Sequence, residues 1–104
     1  MEASRMLKEH EFDRAARVLK AMAHPSRLKI LQILADGEEY TPTELQQFLG
    51  CSQPLMSQQL KILQNEALIR VRKEGVQNFV KLQNPDFIKL FHCLEHHLHN
   101  VLNA

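Results

Sequence analysis

Two stretches of this chain concentrate side chains that can bind something. The first runs Ser52, Gln53, Pro54, Met56, Ser57, Gln58, Gln59, then Lys61. A Gln carboxamide pairs bidentately with an adenine edge, Ser donates to a base or a phosphate, and a Met methyl can touch a thymine methyl. Arg70, Arg72 and Lys73 follow shortly after, then Gln77, Asn78 and Lys81 beyond a glycine. Cations and amides of this kind lie along a phosphate backbone or dip into a minor groove. The second stretch is His92, Cys93, His96, His97 and His99. Imidazole and thiolate groups suit zinc, copper or nickel. His92, His96 and His99 stand at i, i+4 and i+7, one face of a helix.

Composition narrows what these residues can serve. The chain has 104 residues, 44% hydrophobic and 24% charged, which is one globular domain spanning 1–104. Net charge is only +1, yet residues 51–83 hold five basic against two acidic groups. No apolar run is long enough to span a membrane, so no membrane partner is expected. The N-terminal segment lacks the apolar stretch of a signal peptide. With two cysteines, Cys51 and Cys93, there is no disulfide framework, and a reducing cytoplasm is the expected compartment. No glycine-rich phosphate loop, nucleophile elbow or H-E-x-x-H occurs, so an enzyme is not expected.

The binding residues need elements to position them. Apolar spacing predicts a helix over residues 5–23, through Leu7, Phe12, Val18, Leu19 and Met22. Pro25 opens a second helix, apolar nearly all round and therefore buried, which ends at Asp36-Gly37. Thr41-Pro42-Thr43-Glu44 has the form of a capping box before a short helix that Gly50 ends. Ser52 caps a fourth helix reaching Asn65, with Leu55, Leu60, Ile62 and Leu63 as its apolar face. The period then becomes two on either side of Lys73-Glu74-Gly75-Val76, predicting a hairpin with a four-residue loop. A last helix begins at Asn84-Pro85-Asp86 and carries the stripe Phe87, Leu90, Phe91, Leu94, Leu98, Val101 and Leu102.

Two short helices around a glycine turn, followed by a hairpin, make a mainly α fold with a small β-hairpin wing, the winged helix-turn-helix. The recognition helix is expected at about 52–65 and the wing at about 68–82. DNA contacts are expected from Ser52, Gln53, Pro54, Met56, Ser57, Gln58, Lys61, Arg70, Arg72, Lys73, Gln77 and Asn78. Leu7, Phe12, Leu90, Phe91, Leu94, Leu98 and Val101 are too many large apolar groups for the outer helices of a small monomer. They are expected to join a homodimer through helices at about 5–22 and 86–103.

The stretch from Val18 to Leu82 resembles the ArsR-type (ArsR/SmtB) winged helix-turn-helix repressors. The matching segments are Leu19-Lys20-Ala21-Met22-Ala23-His24-Pro25-Ser26-Arg27-Leu28 and Ser52-Gln53-Pro54-Leu55-Met56-Ser57-Gln58-Gln59-Leu60-Lys61-Ile62-Leu63. The link Ala67-Leu68-Ile69 fits as well. The resemblance implies a bacterial homodimer that binds a palindromic operator and represses a nearby operon. It also locates departures. The helix before the turn, Glu44-Leu45-Gln46-Gln47-Phe48-Leu49, lacks the clustered Cys of metal-sensing members. Only fragments of the zinc pattern survive in the last helix, and the second helix has no Cys of a dithiol sensor. The expectation is therefore a repressor needing no cofactor. The alternatives are a metal- or thiol-responsive repressor using His92, His96 and His99, with zinc or another transition metal, and a module that binds only protein.

Overall fold

The computed structural model describes residues 6–104. Five α-helices and one antiparallel hairpin follow in chain order: α1 Phe12–Met22, α2 Pro25–Leu34, α3 Pro42–Leu49, α4 Gln53–Asn65, β1 Ile69–Glu74, β2 Gln77–Leu82 and α5 Asp86–Leu102. The predicted order of elements holds throughout. The first helix starts later than its apolar spacing suggested. A single 3-10 turn, Glu9–Glu11, precedes α1, because the Glu11 carboxylate accepts the Lys8 backbone N–H at 2.8 Å and fixes the chain's entry there. Leu7 is consequently outside the helix, and residue 5 is outside the described residues.

The three helices that matter most are capped as their sequences dictate. The Nδ1 atom of His24 accepts the Ser26 N–H at the start of α2, with Pro25 in its first turn. Thr41 and Glu44 form the reciprocal capping box of α3. Ser52 Oγ accepts the Leu55 N–H of α4. Between α3 and α4 the backbone turns through Gly50 at φ +66°, a left-handed conformation that favours glycine. Ala67 takes a similar conformation, φ +58°, where α4 gives way to β1.

The core is one cluster centred on α2 and α4: Ile30, Leu31, Leu34, Met56, Leu60 and Leu63 pack with Leu45 of α3 and with Ile69, Val80 and Leu82 of the hairpin. In the hairpin, Ile69 pairs with Leu82, Val71 with Val80 and Glu74 with Gln77. The connection is thus the two residues Gly75 and Val76, not the four predicted. Gly75 at φ +63° in the first of two loop positions is what a type II′ turn requires, and its twist matches the strands. Tyr40 adds a single antiparallel bridge to Val80, giving β2 a partner on its other edge.

Helix α5 stands apart from this core. Phe91 alone of its residues is buried, while Phe87, Ile88 and Leu94 rest partly against the cluster. Phe91 was expected in a dimer interface, but it packs within its own subunit, and Leu94 is half-buried there too. The apolar stripe is wider than one contact, so its inner edge serves the monomer. Leu90, Leu98, Val101 and Leu102 remain exposed.

Candidate nucleic-acid interface

Helix α4 presents two faces of opposite character. Met56, Gln59, Leu60 and Leu63 form the inward stripe, at helical spacing, and all four are buried. Met56 is therefore a core residue and not a base contact, because it shares a stripe with Leu60 and Leu63. Gln59 also points inward. Its Oε1 accepts the Arg27 Nη1 hydrogen at 2.7 Å, and the Arg27 Nε donates to the Ala21 carbonyl. A buried amide paired in this way ties α4 to the start of α2.

Ser52, Gln53, Pro54, Ser57, Gln58 and Lys61 all lie on the exposed side. Polar groups on the first turns of a helix with a free outer face are what major-groove readout needs. Alongside this face runs a recess between α4 and the wing, lined by Ser57, Lys61 and Gln64 on one side and Val71, Asn78 and Val80 on the other. Towards the wing tip a second recess brings Gln53 beside Val76, Gln77 and Asn78. The Asn78 Oδ1 is buried without a hydrogen-bond partner among the described residues. Helix and wing thus flank two neighbouring recesses that share Pro42 and Asn78.

Strand alternation divides the wing's polar groups, a separation invisible while they are read as a basic cluster. Ile69, Val71, Lys73, Asn78, Val80 and Leu82 share the face turned to the core and to α4. On the opposite face stand Arg70, Arg72, Glu74, Gln77, Phe79 and Lys81. Arg72 is half exposed, yet its guanidinium is held by carboxylates. Its Nε and Nη2 donate to the two carboxylate oxygens of Glu39 at 3.0 Å each, and its Nη1 donates to Glu74 at 2.6 Å. The guanidinium lies 4.5 Å from the Phe79 ring centroid. Hydrogen bonding to Arg72, assisted by the nearby Arg70 and Lys81 charges, holds the Glu39 carboxyl below its ordinary value. These carboxylates raise Arg72 further above its already high value. Glu39 was not foreseen from sequence, since a lone acid in a loop carries no motif.

At the far end of α4, Arg14 donates to the Glu66 carbonyl at 2.9 Å. Arg14 and Arg17 both approach the Glu66 carboxylate at 3.6 Å. Cations here complement the negative end of the helix.

The histidines of α5 are not gathered. His92 bonds Glu95 at 3.1 Å, His96 lies 3.4 Å from the Asn100 amide and His99 lies 3.3 Å from that of Asn103. Among the described residues no three His, Cys, Asp or Glu side chains are placed to hold one metal ion. Within one subunit the donor set does not fit such a site. Cys51 is half-buried beside the helix turn, and Cys93 is exposed on α5. Among the described residues no helix is long and apolar enough to cross a membrane.

Comparison with known proteins matches this geometry. Residues 22–72 match a helix-turn-helix domain family. A biofilm growth-associated repressor of Xylella fastidiosa is 33% identical over 86 residues, which are 83% of this chain and 75% of that protein. The structure of HlyU from Vibrio cholerae is 37% identical, with a TM-score of 0.75 over 84% of this chain and 97% of that one. A homodimeric winged helix-turn-helix DNA-binding domain from Mycobacterium bovis, described as a possible ArsR-family regulator, superposes with a TM-score of 0.81 at 27% identity, covering 94% and 93%. The exposed polar face of α4, the adjoining wing and these likenesses place the chain in the ArsR-type family of winged helix-turn-helix DNA-binding transcriptional repressors.

Proposed function

We propose that the chain binds a palindromic operator as a homodimer and represses by occupying it, with no catalytic step. The carrying observation is the exposed face of α4, on which Gln53, Ser57 and Gln58 stand free while the opposite face is locked into the core. These three would read base edges. Lys61 and Lys73 would meet phosphates flanking them, with Ser52, Pro54, Gln77 and Asn78 at the margins. Arg70 stands on the outer face of the wing, where it would face backbone further along the duplex.

Surface area supports the second copy. The accessible area is 7585 Å², whereas a compact monomer of this mass exposes roughly 6000 Å². The radius of gyration, 15.0 Å, likewise exceeds the ~13 Å of a compact domain of this length. Phe12, Leu19, Leu90, Leu98, Val101 and Leu102 supply exposed apolar area on the two outer helices. In such a dimer the two copies of α4 enter successive major grooves ~34–36 Å apart. His92, His96 and His99 of α5 each have a local partner.

Footprinting on fragments flanking the gene, combined with sedimentation, tests this reading. The expected result is a protected pair of half-sites one helical turn apart, a dimer at micromolar concentration, and protection unchanged by chelator or stoichiometric zinc. A monomer that protects no paired half-sites would overturn it. Loss of protection with zinc, abolished in His96→Ala with His99→Ala, would make α5 a sensor instead.

A further inference from the structure

Of the basic wing residues, Arg72 is the one whose guanidinium is already engaged by carboxylates on all three nitrogens. It starts on β1, crosses the outer face of β2 over Phe79, and ends on Glu39, beyond the far edge of β2 where Tyr40 bridges Val80. Both of its outer nitrogens and its Nε are engaged by carboxylates, in the fork geometry that makes such pairs directional. Glu39 is itself held in place. Asp36 accepts the Glu38 N–H at 2.8 Å and the Tyr40 hydroxyl hydrogen, so the residues on either side of Glu39 are pinned to one loop conformation.

The wing needs such a restraint. Its apolar pairs end at Val71 and Val80. The outer half, from Arg72 through the turn to Phe79, has no buried residue. A two-stranded hairpin is marginal in water without further packing. We propose that Arg72 is a positioning residue, a strap that fixes the angle of the wing against α4 so that Lys73, on the opposite face, reaches phosphate. The inference rests on the DNA-binding reading above.

The two roles predict opposite signs for Glu39. If Arg72 contacted phosphate, Glu39→Gln would release it and remove a negative charge, and DNA would bind more tightly. If Arg72 is a strap, Glu39→Gln loosens the wing and weakens binding. Exposed pairs of this kind are modest, so the expected loss is about two- to fivefold. The decisive experiment titrates the full chain and its Glu39→Gln, Arg72→Ala, Lys73→Ala and Arg72→Ala with Lys73→Ala variants against a random-sequence duplex over a range of salt. Each lost phosphate contact lowers the slope of log affinity on log salt by ~0.9, so one contact per subunit of a dimer is worth ~1.8. Lys73→Ala should show that drop, and the double variant should show no more than Lys73→Ala alone, because a misplaced wing has already lost Lys73. Thermal unfolding of each variant confirms that the fold persists. A tighter Glu39→Gln variant, or a double variant whose slope falls by a further ~1.8, would overturn the strap. Absence of any duplex binding by the unsubstituted chain at low salt would instead remove the DNA reading on which it rests.

Discussion

Helix α4 and the wing face the same recess, but they are held there by different forces. The inward side of α4 is four buried residues, one of which, Gln59, is hydrogen-bonded to Arg27. A core of that density leaves the helix one rotation about its axis, so its outer residues are aimed by packing. The wing is anchored at its base, by Ile69, Val80 and Leu82, with Val71 half-buried beside them and Tyr40 bridged to Val80. Beyond that, exposed charges and one aromatic ring hold it. The outer face of the helix is therefore rigid, and the readout proposed for it would be insensitive to solution conditions. The attitude of the wing should depend on salt and, only in strong acid, on pH.

That contrast is open to direct attack. The largest effect should follow Met56→Ala, which hollows the core beneath the recognition face. Unfolding in urea should show a loss of about 2–5 kcal/mol. A loss within the ±0.5 kcal/mol usual for surface positions would return Met56 to the DNA face. Gln53→Ala with Gln58→Ala should leave stability almost untouched and cost about 1–3 kcal/mol of sequence discrimination at each lost contact. Competition between operator and random duplex measures this, and unchanged selectivity would remove both residues from readout. Gly50→Ala should cost about 1–2 kcal/mol, since only backbone conformation is affected and nothing lies within 4 Å of the added methyl. A substitution there without thermal cost would mean the left-handed turn is not required.

The smallest effect concerns acid. Glu39 has its carboxyl held below the ordinary value of 4.5 by Arg72, so its contribution is complete above that value. It is lost only as pH falls through the lower value reached in the fold. Salt should therefore loosen the wing at neutral pH, while mild acid should not. Backbone NMR shifts of Glu74–Gln77 that move between pH 7 and 5 would contradict this.

Much of the architecture was legible because local chemistry and global fold agree. The capping box of Thr41 and Glu44, the glycine stop at Gly50 and the cap at Ser52 act within a few residues, so the sequence displays them directly. Two kinds of information were not local. Which way Met56 and Gln59 face is set by a rotation of α4 that apolar Leu55 and Ile62, both only half-buried, disguise. The fate of Arg72 depends on Glu39, 33 residues away. A side chain that looks like a free cation in sequence becomes a restraint once topology brings an acid across the sheet. Phe91 misled for a related reason. One stripe on α5 meets two different surfaces, and spacing alone does not say where one ends.

That divided stripe sets how the protein responds to its own abundance. Phe91 and part of Leu94 are buried inside the subunit. Leu90, Leu98, Val101 and Leu102 are left for a second copy. If folding and the proposed pairing are separate equilibria, only pairing is governed by mass action. While the protein is scarce, the proposed paired form grows with the square of the subunit concentration. Doubling synthesis would quadruple the competent species, and dilution at cell division would deplete it as steeply. Repression would then engage over a narrow span of expression, with no small molecule needed to sharpen it.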